Sequence, residues 1–466
     1  MIRAVSQGVV LTLLAGVLLS APARADEGPY SNFMVGERAL GLGGAAVAVA
    51  DDPGAIFHNP GGIASLTTSA ASGSLWALLR GTRLVEDGYQ TQLGNTDLDY
   101  SAGLSFPAFL AGVVKLGERH ADDVRPHALG AAIVSPHSDE YRFIAQLSEG
   151  DAVDRLEVRH GDKARWYGIA YGYRLRPGLS LGLTTFLAQR SLSHDEVEIN
   201  ARENLPMDST FGSLLSRAST LDISVYHLVP RLGLHLDLTR ELRAGMMLQP
   251  PAIELSSSVS AERLDALAGP DPTAITVSGD SGLDANLPIP WELRLGVTWL
   301  NRPITLLTLD VSIFGPAGSP SDPLPLVAGA GDELLGEFVP RETYRRTALR
   351  GAIGFESELH PIVPIRGGLF FERSSAPEVL STSDAYVRPR LSTFGGAFSL
   401  GLRSGGYDLS FGLTGLIGRG EGLALIRSDD PGDPRFRAAD VTDTVLMVFI
   451  GGAKSAVKRF VKTLSN

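Results

Sequence analysis

Nine ionisable side chains in the second half of the chain fall on strand faces assigned inward: Glu292, Arg294, Asp310, Arg350, Glu356, Arg366, Glu372, Arg403 and Asp408. Carboxylates and guanidiniums in such a setting do electrostatic chemistry. Their default is to pair with one another, because an unpaired charge away from water is costly. An arginine can instead grip a ligand carboxylate with two parallel hydrogen bonds, and Arg350 and Arg366 are the candidates for that role. Covalent and metal chemistry are not indicated. The nine histidines show no metal-ligand spacing, and no Gly-x-Ser-x-Gly elbow occurs. Gly41-Leu-Gly-Gly-Ala-Ala46 lacks the preceding strand and the following Lys-Ser/Thr of a nucleotide loop. No catalytic residue, metal or cofactor is therefore expected.

These charges lie opposite continuous apolar stripes. In Trp291 to Trp299, residues Trp291, Leu293, Leu295, Val297 and Trp299 share one face, and Glu292, Arg294, Gly296 and Thr298 share the other. The same period of two recurs in Leu307–Ile313, Leu349–Phe355 and Tyr407–Leu413, which is the pattern of β-strands with two unlike faces. Short turns (Arg176-Pro-Gly178, Asp237–Glu241, Asn301-Arg-Pro303, Glu358–Pro361, Ser404-Gly-Gly406) alternate with long polar connections near 196–219, 261–287, 315–343, 374–387 and 421–439. That alternation, with about 14 strands, predicts an all-β fold: a transmembrane antiparallel β-barrel with tight turns on one side and long loops on the other. The strands are expected to begin near Ser65, Leu98, His127, Arg165, Leu179, Leu221, Leu242, Pro288, Ile304, Tyr344, Ile362, Arg388, Tyr407 and Val441. Trp166, Tyr167, Tyr173, Trp291, Trp299 and Phe314 would suit interfacial aromatic girdles.

Composition agrees with an exported envelope protein. Arg3, the apolar run Val9–Leu19 and Ala23-Arg-Ala25 read as a signal peptide over residues 1–25. The 466 residues contain no cysteine and carry a formal charge of −11. Disulfide and thiol chemistry are thereby excluded, and nucleic acid is disfavoured as a partner. Beyond the leader no apolar run reaches the roughly 18 residues of a spanning helix. The expected organisation is leader 1–25, plug 26–64, barrel 65–452 and an amphipathic tail 453–466. An even strand count puts both termini in the periplasm of a Gram-negative cell. Outer-membrane lipids and, during biogenesis, the barrel-assembly machinery would then be its partners.

The segment that would fill the lumen is Gly36-Glu-Arg-Ala-Leu-Gly-Leu-Gly-Gly-Ala, followed by Ala50-Asp-Asp-Pro-Gly and Asn59-Pro-Gly-Gly. It is too rich in Gly and turn residues to make a barrel strand. It resembles the N-terminal hatch of the FadL-type outer-membrane transporters of long-chain fatty acids and other hydrophobic compounds, the FadL/TodX-like family. Leu287-Pro-Ile-Pro-Trp-Glu-Leu-Arg-Leu-Gly-Val297 and Ser375-Ala-Pro377 extend the likeness along the barrel. The resemblance implies a hatch that blocks the lumen, capture of ligand by outer loops, and lateral release beside a kinked strand. Gating would then fall to Asp51, Asp52, Asn59, Pro60 and Gly61, the last standing where the family usually has Ala. Arg350 or Arg366 would hold a fatty-acid carboxylate. Leu205, Met207, Phe211, Leu214 and Leu215, in the segment 200–220, would form a greasy landing surface. The alternative is a barrel of the same kind that transports nothing and serves as an assembly or secretion partner.

Overall fold

The computed structural model describes residues 34–102, 108–119, 124–202, 213–268, 274–301, 305–318, 323–329, 331, 334–360, 362–428, 430 and 432–454. The expected leader, the first residues of the plug, and all but the first two residues of the expected tail lie outside them. After two short helices, α1 (Glu37–Gly41) and α2 (Ala55–His58), and a 3-10 turn (Pro60–Ser65), the chain is almost entirely strand. The first half contains β1 (Ala70–Thr91), β2 (Gly94–Ala102), β3 (Ala108–Leu116), β4 (His127–Glu149), β5 (Ala152–Arg176), β6 (Leu179–Arg202) and β7 (Ser213–Asp237). Next come β8 (Leu242–Gln249), β9 (Ile253–Ala268), β10 (Ala274–Ala285), β11 (Glu292–Asn301) and β12 (Thr305–Phe314). Three short pieces follow: β13 (Leu324–Pro325), β14 (Val327–Ala328) and β15 (Glu342–Thr343). The last strands are β16 (Ala348–His360), β17 (Val363–Glu372), β18 (Thr382–Ser383), β19 (Arg390–Ser404), β20 (Tyr407–Ile426) and β21 (Phe436–Lys454).

The long strands pair antiparallel with their neighbours, and β1 closes the circuit on β21, from Ala71 opposite Lys454 to Val85 opposite Val441. Three staves are built from two pieces. β2 and β3 both pair with β1 and β4, β8 and β9 both pair with β7, and β11 and β10 continue those two on the next stave. Counted this way among the described residues, the circuit has fourteen staves. Pro250-Pro251 and Pro288 and Pro290 stand at two of the interruptions, where a missing N–H cannot serve the ladder. A short parallel contact, Tyr89–Gln90 beside Leu425–Ile426, makes the sheet mixed.

Along the staves polarity is inverted relative to a soluble protein. On β11, Glu292, Arg294 and Thr298 are buried while Leu295, Val297 and Trp299 are exposed. Leu181, Leu183, Leu232, Phe355, Leu369, Phe411 and Ile450 are likewise exposed, and their opposite-phase neighbours face the interior. An apolar outer wall around a charged interior is the arrangement a lipid-embedded barrel requires. Among the described residues no helix is long and apolar enough to cross a membrane.

Two expectations need correction. The connections near 196–219 and 261–287 are not loops throughout: β6 runs to Arg202, β7 starts at Ser213, and β9 and β10 form a hairpin. Nearly all of β10 is exposed, and of its twelve residues only Ile275, Val277 and Leu283 are large and apolar, too few for a continuous stripe to mark the strand in sequence. β1–β2 and β4–β5 are also joined by tight turns, at Gln92-Leu93 and at Gly150-Asp151. Trp166 and Phe314 are not girdle residues, at 3% and 4% exposure, whereas Tyr167, Tyr173 and Trp299 are outside at 42%, 38% and 42%. Trp166 and Tyr167 are consecutive on one strand, so only one of them can face outward.

Candidate functional site

The site is built by the segment 34–66 and the inner face of the staves. Locally the segment is held by short-range bonds. Asp52 Oδ1 accepts from the Gly54 amide at 2.6 Å, which sets the turn into α2. Asn59 caps the 3-10 turn, its Oδ1 accepting from the Gly61 amide at 3.1 Å, with Pro60 at the first position, where a missing N–H costs nothing. The other end of the Asn59 amide donates to Val47 O and to Leu234 O of β7, both at 2.9 Å. Asn59 is thus fully buried and fastens one part of the segment to another and to the wall.

Glycines on the strands let the segment approach this closely. Gly172, Gly182 and Gly233 lie in direct register across β5, β6 and β7, Gly245 and Gly296 across β8 and β11, and Gly354 and Gly368 across β16 and β17. A Cβ on Gly182 would strike the Pro60 carbonyl, one on Gly245 the Val47 carbonyl, and one on Gly368 the Leu42–Gly43 peptide. From the other side, a Cβ on Gly61 would come within 2.9 Å of the Gly233 carbonyl. Gly61 therefore stands where alanine would not fit against this wall.

Ion pairs complete the attachment. Arg366 of β17, wholly buried, reaches Glu37 at 2.6 Å, Glu356 at 2.7 Å and Asp408 at 2.8 Å, and also donates to Ser410. Arg38 binds Glu356 at 2.9 Å and also pairs with Asp51, which Arg243 meets at 3.3 Å. Asp310 Oδ2 accepts from the amides of Ala46 and Val47 at 2.6 and 2.8 Å. Around α2, Arg231 of β7 donates to Phe57 O at 2.6 Å, Gln249 at 2.9 Å and Glu292 at 3.1 Å. Its guanidinium lies 4.1 Å from the Phe57 ring centre, with Trp166 and Phe186 alongside.

The two arginines singled out from sequence are placed differently. Arg366 spends its guanidinium on protein carboxylates. Arg350 stands 3.9 Å from Glu372 and 5.7 Å from the Phe370 ring centre, and it lines a small void with Met34, Phe57, His58, Arg294 and Asp310. That void measures about 10 Å³, room for about one water. Leu214 and Leu215 lie on β7, opposite Ala201 and Asn200 of β6 and Ala268 and Leu267 of β9, not in a loop. Leu205, Met207 and Phe211 lie outside the described residues. Glu37, Arg38, His58, Arg231 and the facing glycines were not read from sequence as site residues. The repeated glycines at inward positions of otherwise good strands were the available signal.

Burial, helped by the nearby charges of Glu37 and Asp51, pushes the Asp52 carboxyl up to about 7. Burial and Arg294 hold His58 down near 3, so its ring is neutral, with Nε2 2.6 Å from Val35 O. A carboxyl raised on docking favours the docked state when protonated, and that contribution is lost as pH rises from about 4 through about 7. The segment should therefore become more protease-sensitive between about pH 5 and about pH 8. Asp52→Asn, which keeps the oxygen facing Gly54, should flatten that dependence, as limited proteolysis at the two pH values will report.

Above this site apolar clusters lie beside buried carboxylates such as Asp154, Glu196 and Glu198. Tyr89, Leu98, Tyr100, Phe143, Phe338 and Phe436 belong to one cluster, and Leu221, Ile223, Val259, Leu287, Leu326 and Leu335 to another. Both include residues of the long connection after β12.

The geometry defines a closed barrel with a lipid-facing exterior and an internal N-terminal segment bonded to its wall. No protein-family model matches the sequence, and no curated protein is significantly similar to it. Solved structures do share the fold. A Pseudomonas aeruginosa FadL homologue superposes with a TM-score of 0.59 at 12% identity, covering 92% of this chain and 100% of that one. The P. putida toluene transporter TodX gives 0.55 at 15% identity, covering 91% and 99%. The Ralstonia pickettii toluene transporter TbuX gives 0.53 at 14% identity, again covering 91% and 99%. The chain is thus an all-β barrel with the fold of the FadL-type outer-membrane proteins.

Proposed function

We propose that this chain is an outer-membrane channel for passive uptake of long-chain fatty acids or related hydrophobic compounds, with residues 26–64 as its hatch and both termini periplasmic. The observation that carries the reading is the bonding of segment 34–66 to inward-facing groups on β6, β7, β8, β11, β12, β16, β17 and β20. A segment so placed closes the lumen to water, while the apolar clusters beyond it offer a landing for a hydrocarbon. Each CH₂ buried there contributes about 0.8 kcal/mol, so selection among hydrocarbons rests on shape more than on polar contacts. The solved structures of the same fold that are described as toluene transporters support this substrate class. Arg350, beside the void, is the better placed of the two arginines to meet a ligand carboxylate; Arg366 fastens the hatch. No catalysis is proposed.

The test is uptake of radiolabelled oleate and of toluene by cells carrying the intact protein, against empty-vector cells. Asn59→Ala with Pro60→Ala removes the bonds to Val47 and Leu234 and should change uptake several-fold at equal surface level. Absence of uptake by correctly inserted protein would overturn the reading. The packed lumen beside Arg350 favours a second reading, a barrel that transports nothing and serves as an assembly or secretion partner. Co-purification of a stoichiometric envelope protein together with zero uptake would establish it.

A further inference from the structure

Outside the wall, polarity changes along the strands. On the outer face of β5, Leu175, Tyr173, Tyr171, Ile169 and Tyr167 are exposed and form the lipid belt of this stave. The same face continues, in steps of two, as Arg165, Lys163, Gly161, Arg159, Glu157 and Arg155. Lys163 and Arg159 follow Tyr167 by four and eight residues, roughly 13 and 26 Å along the strand. At a strand tilt of about 40° they stand roughly 10 and 20 Å above the belt. That is the layer in which the phosphates and first sugars of a glycolipid lie.

Cations dominate this layer. On β4, Arg142 lies directly opposite Arg159. Arg142, Arg155 and Arg159 all turn to one carboxylate, Glu157, at 2.7, 3.2 and 3.0 Å, and Lys163 meets Glu140 at 3.0 Å. With Arg165, the outer face of β4 and β5 above the belt carries five cations against two carboxylates, in a chain whose formal total is −11. Despite their pairing, the four bonded cations keep 41–61% of their side chains exposed. Exposed ion pairs gain little, so these groups can exchange a carboxylate for a phosphate, which arginine grips with two hydrogen bonds.

Beside the cations the wall is hollowed. Lys163, Ser191, Ser224 and Ser258 run in register across β5, β6, β7 and β9. Their small neighbours leave a surface cavity of about 480 Å³, with Arg159 at one edge and Asp195 and Asp222 farther round. Hydroxyls and carboxylates so placed can bond the hydroxyls of a sugar, and the cations its phosphate. A phospholipid without a sugar would use the cations and leave the groove empty.

We infer that this face binds the phosphorylated sugar headgroup of an outer-leaflet glycolipid, its phosphates held by Arg142, Arg159 and Lys163 and its sugar seated in the serine-lined groove. The inference rests on the orientation proposed above, which puts this end of the wall outside the cell. It does not depend on what the channel conducts.

The probe is lipid A carrying two Kdo sugars, titrated into purified full-length protein in detergent and counted by native mass spectrometry. Wild type should hold one molecule. Arg159→Gln with Lys163→Gln should weaken binding at least about ten-fold. Arg176→Gln with Arg240→Gln, which removes equal charge from exposed sites at the other end of the barrel, should leave it unchanged. The same lipid stripped of phosphate, and phosphatidylglycerol, should bind wild type at least about ten-fold more weakly, and inorganic phosphate should not displace the intact lipid. Unchanged binding in the first variant, equal loss in the control, or phosphatidylglycerol bound as tightly overturns the site. Displacement by inorganic phosphate assigns it to the free ion and overturns the lipid source. Orientation is read separately: Asp151→Cys, at the tight turn of this end in a chain without cysteine, should react with an impermeant maleimide in intact cells. Failure to label overturns the orientation and the outer-leaflet source with it, whereas lipid binding without uptake supports the site and overturns only the transport reading.

Discussion

Arg366→Gln is expected to detach the N-terminal segment from the wall while leaving the circuit of strands closed. The arginine is wholly buried and serves Glu37 of the segment together with Glu356 and Asp408 of the wall. Removing one partner from a buried ion-pair group leaves its carboxylates uncompensated, at a cost of about 3–5 kcal/mol. Arg38 and Arg403 still attend Glu356, and Arg403 attends Asp408 at 2.7 Å, so the charge left most alone is Glu37. Undocking the segment lets that carboxylate reach water. The ladders of β16, β17, β19 and β20 do not depend on this side chain. The variant should therefore keep the heat-modifiable migration of a folded barrel in gels but expose residues 34–66 to protease. Continued protection of those residues at the wild-type level would refute the assignment. Arg350→Gln should do less, because its carboxylate partner Glu372 is 3.9 Å away.

Gly182→Val combined with Gly233→Val is expected to convert a closed barrel into a conducting one. The side chain added at Gly182 falls on the Pro60 carbonyl, and the one added at Gly233 on the Gly61 amide, the Pro60 ring and the bonded Asn59 side-chain oxygen. Overpacking a close contact costs about 1–3 kcal/mol per site, and here backbone of the segment, which has no rotamer to yield, is met at both sites. Valine is a good strand residue, so the barrel itself should accept both. The measurement is ion conductance of purified protein in planar bilayers, silent for wild type and stepwise for the double variant. Gly351→Val, a position with open space where its side chain would lie, is the control and should stay silent. Equal conductance in control and double variant would mean that the segment does not seal the lumen.

Much of this was legible in the residues themselves. The period of two in Trp291–Trp299 and Tyr407–Leu413 gave strands, and the strand starts near His127, Leu179, Leu242 and Tyr407 agree with the structure to the residue. The reason is local: a lipid-facing strand must place apolar atoms on alternate residues whatever its neighbours are. Where that demand lapses the sequence is silent. β10 protrudes with nearly every residue exposed, and its hairpin with β9 reads as a loop. The Gly-rich segment, Asn59-Pro60 and the acidic turn were likewise visible as a compact non-strand element. Alternation alone does not say which face meets solvent, but the alternation of short and long connections indicated a membrane barrel with its charges inward, and the closed circuit does put Glu356 and Arg366 inside and Phe355 and Leu369 outside.

Which charges pair between the segment and the wall was decided by the tertiary structure. Arg38 and Glu356 are 318 residues apart, and Arg366 and Glu37 are 329 apart, distances over which no spacing in sequence carries information. The same holds for the facing glycines, each unremarkable on its strand until register aligns Gly172, Gly182 and Gly233 under the turn at Pro60. Sequence alone determined strands, turns and an internal segment, because those follow from local periodicity and backbone freedom. Which arginine holds the segment and which glycines admit it were decided only by closing the sheet, because each depends on partners that closure brings together.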